Sequence, residues 1–257
     1  MDAIITAGGI PLPKDPLYEF TQGSSKAMLD IAGKPMIQWV MDALCASSKI
    51  DSIILIGLTE ESGLTSTHPV HYLPNQGRML ANIIAGINQA QQIHPQSEYV
   101  LVVSSDIPAI SPAMVDWLID QVESESADIY YGIVPRQVME ERFPDSRRTW
   151  THLKDMDICG ADMNAVHVRM ATEHLDTWES LIGRRKSPLK QAALIGIDTL
   201  LLLALRQLNI ADIVGRVSKR IGIRGKAIIW PWAEAGMDVD KPHQLQIMRA
   251  FMTAKQE

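Results

Sequence analysis

What the chain lacks narrows the field before any motif is read. Its 257 residues include two cysteines, Cys45 and Cys159, far apart in the sequence. They form no CxxC pair and no zinc spacing, which sets aside a disulfide framework and a structural zinc site. Two reduced core or near-core thiols remain, in keeping with a cytoplasmic protein. Long apolar runs are missing too. The most apolar stretch, residues 194–205, is interrupted by Asp198 and falls short of the roughly 20 residues that span a bilayer. It reads as a buried helix, and no transmembrane segment is predicted. The N-terminus, MDAIITAGG, has no basic region ahead of a long apolar stretch, so no signal peptide is predicted. Basic charge is not in excess: 24 lysines and arginines face 30 acids, for a formal charge of −6. A general nucleic-acid binder presents a basic face, and this balance argues against one. A phosphorylated small molecule held by a local basic patch stays open. The seven histidines (68, 71, 94, 152, 167, 174 and 243) show no HExxH or other ligand spacing and receive no role.

What is present is a regular alternation. Residues 3–6 form an apolar run ending in Ala7-Gly8-Gly9, a buried strand entering a glycine loop. Residues 10–25 hold Pro11, Pro13, Pro16 and Gly23 and predict a long loop, a feature that is usually functional in a compact domain. A helix over 36–44 follows, with Pro35 at its start. Residues 52–58 and 99–103 read as further buried strands, separated by a helix over 80–92 with Leu80, Ile83, Ile84 and Ile87 on one face. A helix over 115–122, a strand over 128–134, a largely helical stretch over 181–207, a strand over 226–230 and a closing helix over 242–252 complete the pattern. Continuous apolar strands alternating with helices predict a parallel sheet covered on both faces. With no repeat and no linker-like shift in composition, residues 1–257 read as a single domain.

In an open parallel sheet, ligands bind beyond the carboxyl ends of the strands. Gly8 and Gly9 sit at such an end, where bare backbone N–H groups can approach an anion or simply make a tight turn. The motif is neither GxGxxG nor GxxxxGK[ST]. Asp106, in SSDIP, follows a strand directly and is either a metal ligand or the cap of the next turn. Lys26 follows Gly23-Ser24-Ser25 and is either a point charge for phosphate or solvated surface. Asp238 and Asp240 flank Val239 ahead of Lys241-Pro242; Asp240 suits a second metal ligand, a helix cap or both. Arg184-Arg185-Lys186 suits an acidic acceptor or a solvated helix end.

Four segments in order, MDAIITAGG, GSSKAMLDIAGKPMIQWVMDAL, LVVSSDIPAIS and GMDVDKPHQL, resemble the NTP transferase family. Its members include MobA-like guanylyltransferases, cytidylyltransferases and sugar-phosphate nucleotidylyltransferases. The resemblance implies an α/β, Rossmann-like (GT-A-like) three-layer α/β/α sandwich with a mostly parallel sheet. It implies a nucleotide-binding loop at Ala7, Gly8 and Gly9, and an α-phosphate lysine at Lys26. Asp106 and Asp240 match the metal positions, and Asn82, within Gly77-Arg78-Met79-Leu80-Ala81-Asn82, matches the nucleoside segment. Gly160 and Asp162 fall where relatives carry an acceptor loop. The implied activity is transfer of an NMP from an NTP to a phosphorylated or hydroxyl small-molecule acceptor, with release of pyrophosphate and dependence on Mg²⁺ or Mn²⁺. Lys26 and Asp106 are the implied catalytic pair. One departure stands out. Relatives commonly read AGGxGxRMG, with an arginine on the triphosphate. Here Gly9 is followed by Ile10-Pro11-Leu12-Pro13-Lys14, no arginine precedes Arg78, and Lys14 is the candidate substitute. Two other readings follow: a non-catalytic nucleotide-binding homologue, and a GT-A glycosyltransferase using a nucleotide sugar.

Overall fold

The computed structural model describes residues 1–123, 126–173 and 196–256. In chain order the strands are β1 (Asp2–Thr6), β2 (Asp30–Ile31), β3 (Lys34–Pro35), β4 (Ile53–Ile56), β5 (Val70–Leu73), β6 (Tyr99–Ser104), β7 (Ile129–Pro135), β8 (Thr151–His152), β9 (Asp157–Gly160), β10 (Met163–His167) and β11 (Gly225–Ile229). The α-helices among the described residues are α1 (Tyr18–Thr21), α2 (Met36–Cys45), α3 (Met79–Ile93), α4 (Pro112–Glu123), α5 (Arg136–Arg142), α6 (Ile197–Ala204), α7 (Ile210–Ile221) and α8 (Pro242–Ala254).

The main sheet runs β5-β4-β1-β6-β10-β7-β9-β8, with β11 also on β7. Strands β5, β4, β1 and β6 are mutually parallel, while β9 and β10 run against the rest. The reason lies in β1. Ala3 and Ile5 point into one core and Ile4 into the other, and all three are fully buried. A strand apolar on both faces has to be covered on both, which requires helices on each side. Helices α2, α4 and α8 bury Ile37, Val40, Met41, Val115, Leu118, Leu245 and Met248 on one face. Helix α3 buries Leu80, Ile83 and Ile87 on the other. Gly86 brings α3 close, since a Cβ there would lie 2.7 Å from the Ile4 side chain. The expected three-layer α/β/α sandwich with a mostly parallel sheet is the observed fold.

One expectation changes. Residues 194–205 were read as a buried helix. The described part forms α6, but Ile197 is 76% exposed, Leu201 59% and Leu205 57%. These residues recur every four positions, so the apolar stripe faces outward rather than into the core. Residues 181–195, with Arg184-Arg185-Lys186, lie outside the described residues. The short elements β2, β3, β5, α1, α5 and β8–β10 gave no sequence signal, being too short or too mixed for a period to show.

Candidate functional site

The parallel strands β1, β4 and β6 end together, and their exit loops build the site. At the end of β1, Ala7 N–H donates to Ile56 O at 2.8 Å. The long loop that follows is closed at its base: Lys26 N–H donates to Gly9 O at 2.9 Å and Ser25 Oγ–H donates to Ala7 O at 3.1 Å. This closure brings Lys26 back beside the glycines. Lys14 is exposed on the same loop.

The two glycines do different jobs. A Cβ on Gly9 would meet nothing within 4 Å, so that residue opens onto free space. A Cβ on Gly8 would lie 2.5 Å from Asn75 Nδ2, so Gly8 is small because Asn75 packs there. Asn75 Nδ2 donates to Gly8 O at 3.0 Å, and Asn82 Nδ2 donates to Asn75 Oδ1 at 3.1 Å. Asn82 Oδ1 in turn accepts from Gln76 N–H at 2.7 Å. Asn82 is buried with both ends of its amide engaged. It holds the β5–α3 loop against the glycine loop. Asn75 was not singled out from the sequence. Beneath Gly8 sits Gly57 (φ +102°), where a Cβ would lie 2.5 Å from Gly8 Cα. Gly57→Ala is therefore expected to cost about 2–4 kcal/mol, from the clash and the positive φ together. Urea unfolding measures it; a variant as stable as the parent contradicts the packing.

Asp106 lies just past β6, buried, and accepts from Ser104 Oγ–H at 2.5 Å. Its backbone oxygen accepts from Val239 N–H at 3.0 Å, which draws the distant DVD segment to the same strand end. Asp240 N–H donates to Gln244 Oε1 at 2.9 Å. Lys26 Nζ then bridges the two acids, 2.5 Å from Asp106 Oδ2 and 2.6 Å from Asp240 Oδ1. Burial works against the ammonium, but Asp106 and Asp240 outweigh it and raise the Lys26 pKa above its usual value. Lys26 stays charged throughout the neutral range. Asp238, buried beside them, is ion-paired with Arg148.

Oxygens of Asp106, Asp238 and Asp240 all lie within 4.8 Å of one another. Three converging carboxylates suit a hard divalent cation such as Mg²⁺ or Mn²⁺, which takes oxygen ligands. The sequence placed Asp106 and Asp240 in this set; Asp238 joins them here. Arg148 carried no signal, because an arginine in a loop is ordinary until its partner is known.

Asp162 stands close enough to feel the cluster. Burial, then the charge of Asp106, pushes its carboxyl up to about 7, with Arg148 pulling the other way. Gly160 ends β9 against Tyr131, where a Cβ would lie 2.6 Å from Oη. The raised Asp162 value has a definite sign. The folded protein keeps a proton that the unfolded chain gives up near the ordinary carboxyl value. Stability from this group is full in acid and falls as pH rises towards 7. In EDTA, Asp162→Asn is expected to be more stable than the parent at alkaline pH, with the gap closing in acid. Urea midpoints across that range measure this, and a gap that widens in acid contradicts it.

A glycine loop, a lysine and a carboxylate cluster at the strand ends of this fold match the arrangement that the resemblance to NTP transferases implies. The family model of the MobA-like NTP transferase domain matches residues 20–193, more than half of the chain. The chain belongs to that family. A probable molybdenum cofactor guanylyltransferase of Natronomonas pharaonis is 22% identical over 182 residues, 68% of this chain and 82% of the relative. A 3-deoxy-manno-octulosonate cytidylyltransferase of Geotalea uraniireducens is 26% identical over 113 residues. That match spans 43% of each chain, less than half the length of the relative. Among solved structures, a hypothetical transferase from Thermus thermophilus superposes with a TM-score of 0.82 at 30% identity, over 95% of this chain and 98% of that one.

Proposed function

We propose that this protein transfers an NMP from an NTP to a phosphorylated or hydroxyl small-molecule acceptor and releases pyrophosphate. The observation that carries it is the Lys26 ammonium held between Asp106 and Asp240, beside the open Gly9. Phosphoryl-type transfers rely on positioning and charge neutralisation more than on covalent protein chemistry. Ala7, Gly8 and Gly9 line the phosphates, with the N–H groups of Gly8 and Gly9 as donors. The N–H groups of Gly8, Gly9 and Ile10 donate no hydrogen bond among the described residues, which leaves them available to an anion. Lys26 neutralises the α-phosphoryl oxygens. Asn82 shapes the nucleoside loop through Asn75. Gly160 and Asp162 border the acceptor. Asp106 and Asp240, with Asp238, would hold a divalent cation, which would supply charge neutralisation for the phosphates during transfer.

Residues 1–257 act as one domain in this scheme, because Asp238, Asp240 and α8 lie beyond the family match and still complete the site. Among the described residues no helix is long and apolar enough to cross a membrane. We place the protein in the cytoplasm, where its two free thiols stay reduced.

A specific observation keeps the non-catalytic alternative in view: residues 10–25 carry no arginine, and their cation before Lys26 is the exposed Lys14. The experiment is a pyrophosphate-release assay with each of the common NTPs, Mg²⁺ and a panel of sugar phosphates, phosphorylated alcohols and hydroxy acids. One NTP and acceptor pair is expected to release pyrophosphate in equal amount to product. Nucleoside diphosphate in place of pyrophosphate, when nucleotide sugars are supplied, identifies a glycosyltransferase. NTP binding with no turnover on any acceptor supports the non-catalytic homologue.

A further inference from the structure

Arg148 is the second cation of the site, and the transfer scheme gives it no task. It lies in the loop between α5 and β8, just after Arg147, which takes a positive φ of 49°. That loop is fastened to α8: Ser146 O accepts from His243 Nε2 at 3.2 Å and from Gln244 Nε2 at 3.5 Å. Gln244 Oε1 accepts from Asp240 N–H as well. One helix side chain therefore ties the Arg148 loop to the segment carrying Asp238 and Asp240. The Arg148 side chain is 14% exposed and ion-paired with Asp238. Its Nε is buried with no acceptor among the described residues.

The charges explain why this matters. Asp106, Asp162, Asp238 and Asp240 face Lys26 and Arg148. Even with Lys241 close enough to act on Asp240, the four carboxylates outnumber the cations around them, which leaves negative charge for a further cation. The three carboxylates that converge for a metal are the same three that the cations hold. Lys26 takes Asp106 and Asp240, and Arg148 takes Asp238. A guanidinium cannot step aside by losing its proton in the range where proteins work. It has to be displaced.

We propose that Arg148 competes with the divalent cation for Asp238, so that metal binding frees its planar fork for an oxyanion of the acceptor. This rests on the metal reading above. It turns the arginine from a structural counter-ion into a positioning residue that takes up its role once the metal is in place. Linkage then works in both directions: an oxyanion on Arg148 strengthens metal binding by the same factor.

The test is Mn²⁺ binding to the full chain, followed by electron paramagnetic resonance without nucleotide. Arg148→Met is expected to bind Mn²⁺ about tenfold tighter, because the competing guanidinium is gone. Asp238→Asn is expected to bind it about tenfold more weakly, and in that background Arg148→Met changes affinity by less than about twofold. Unchanged or weaker binding by Arg148→Met overturns the proposal, as does a gain that survives in full without the Asp238 carboxylate. Arg148→Lys keeps a charge in the site and serves if the methionine variant fails to fold. Its looser pairing predicts a smaller gain, about threefold, and no gain overturns the competition. Inorganic phosphate is expected to tighten Mn²⁺ binding more in the parent than in Arg148→Met; equal tightening overturns the oxyanion role. If Asp106→Asn keeps full Mn²⁺ affinity, the metal reading itself fails, an outcome distinct from the failure of Arg148 alone.

Discussion

Asp106→Asn is expected to lower pyrophosphate release by about 10³-fold or more, with the fold intact. The substitution keeps the volume and an oxygen to accept from Ser104 Oγ–H, and removes one charge. That charge is one of three carboxylates whose oxygens lie within 4.8 Å of one another, the proposed metal ligands, and one of the two that hold Lys26. Both cation binding and the placement of Lys26 depend on it. Stability changes little because two effects oppose. One ion pair to a mostly buried lysine is lost, and one like charge is taken out of a cluster of four acids. Paired assays of turnover and melting temperature check this. An asparagine variant that releases pyrophosphate at the parent rate removes Asp106 from the mechanism.

Lys26→Met has the second largest expected effect, and its parts have opposite signs. Turnover falls by about 10²–10³-fold, because no ammonium remains to meet the α-phosphoryl oxygens. In EDTA the protein loses ~3 kcal/mol, since Asp106 and Asp240 face each other without their shared partner. Mn²⁺ affinity nevertheless rises, because Lys26 no longer occupies two of the metal's carboxylates. The melting temperature should therefore respond more strongly to Mn²⁺ in the variant than in the parent. A variant that is slow, yet indifferent to Mn²⁺, would separate the lysine from the metal position.

Most of the large elements were legible because their sequences obey a single period; α7 (Ile210–Ile221) was not read from the sequence. β1, β4 and β6 are continuous apolar runs, and each is buried on both faces as such runs must be. Helices α2, α3, α4 and α8 announce themselves by an apolar face. Helix α6 shows where the same logic fails. Its leucines meet the composition of a buried helix, and composition does not say which side the core is on.

The site was legible in part, through the four family-like segments taken in order. Of Lys26, Asp106 and Asp240, Asp106 alone directly follows an apolar strand; the other two gained weight from the ordered set. The structure brings those three together within hydrogen-bonding distance. Gly8 was read as letting its backbone N–H approach an anion, and its missing Cβ also makes room for Asn75. Asn82 was read as a nucleoside contact, and its amide is spent on the neighbouring loop. Asn75, Gly57 and Arg148 had no signal at all. Their importance comes from partners 67, 49 and 90 residues away in sequence (75 − 8, 57 − 8 and 238 − 148), which no local pattern encodes.

The proposed metal-dependent NTP site on Lys26, Asp106 and Asp240 makes its sharpest prediction in ligand-dependent melting. The melting temperatures of the parent protein and Asp106→Asn are measured with each NTP, in the presence of Mg²⁺ or of EDTA. A ligand that binds only the folded state raises the melting point by mass action. At least one NTP is expected to raise it in the parent with Mg²⁺, and the rise is expected to disappear in EDTA and in Asp106→Asn. A rise of equal size in all three conditions, or none with any NTP, would contradict the proposed site.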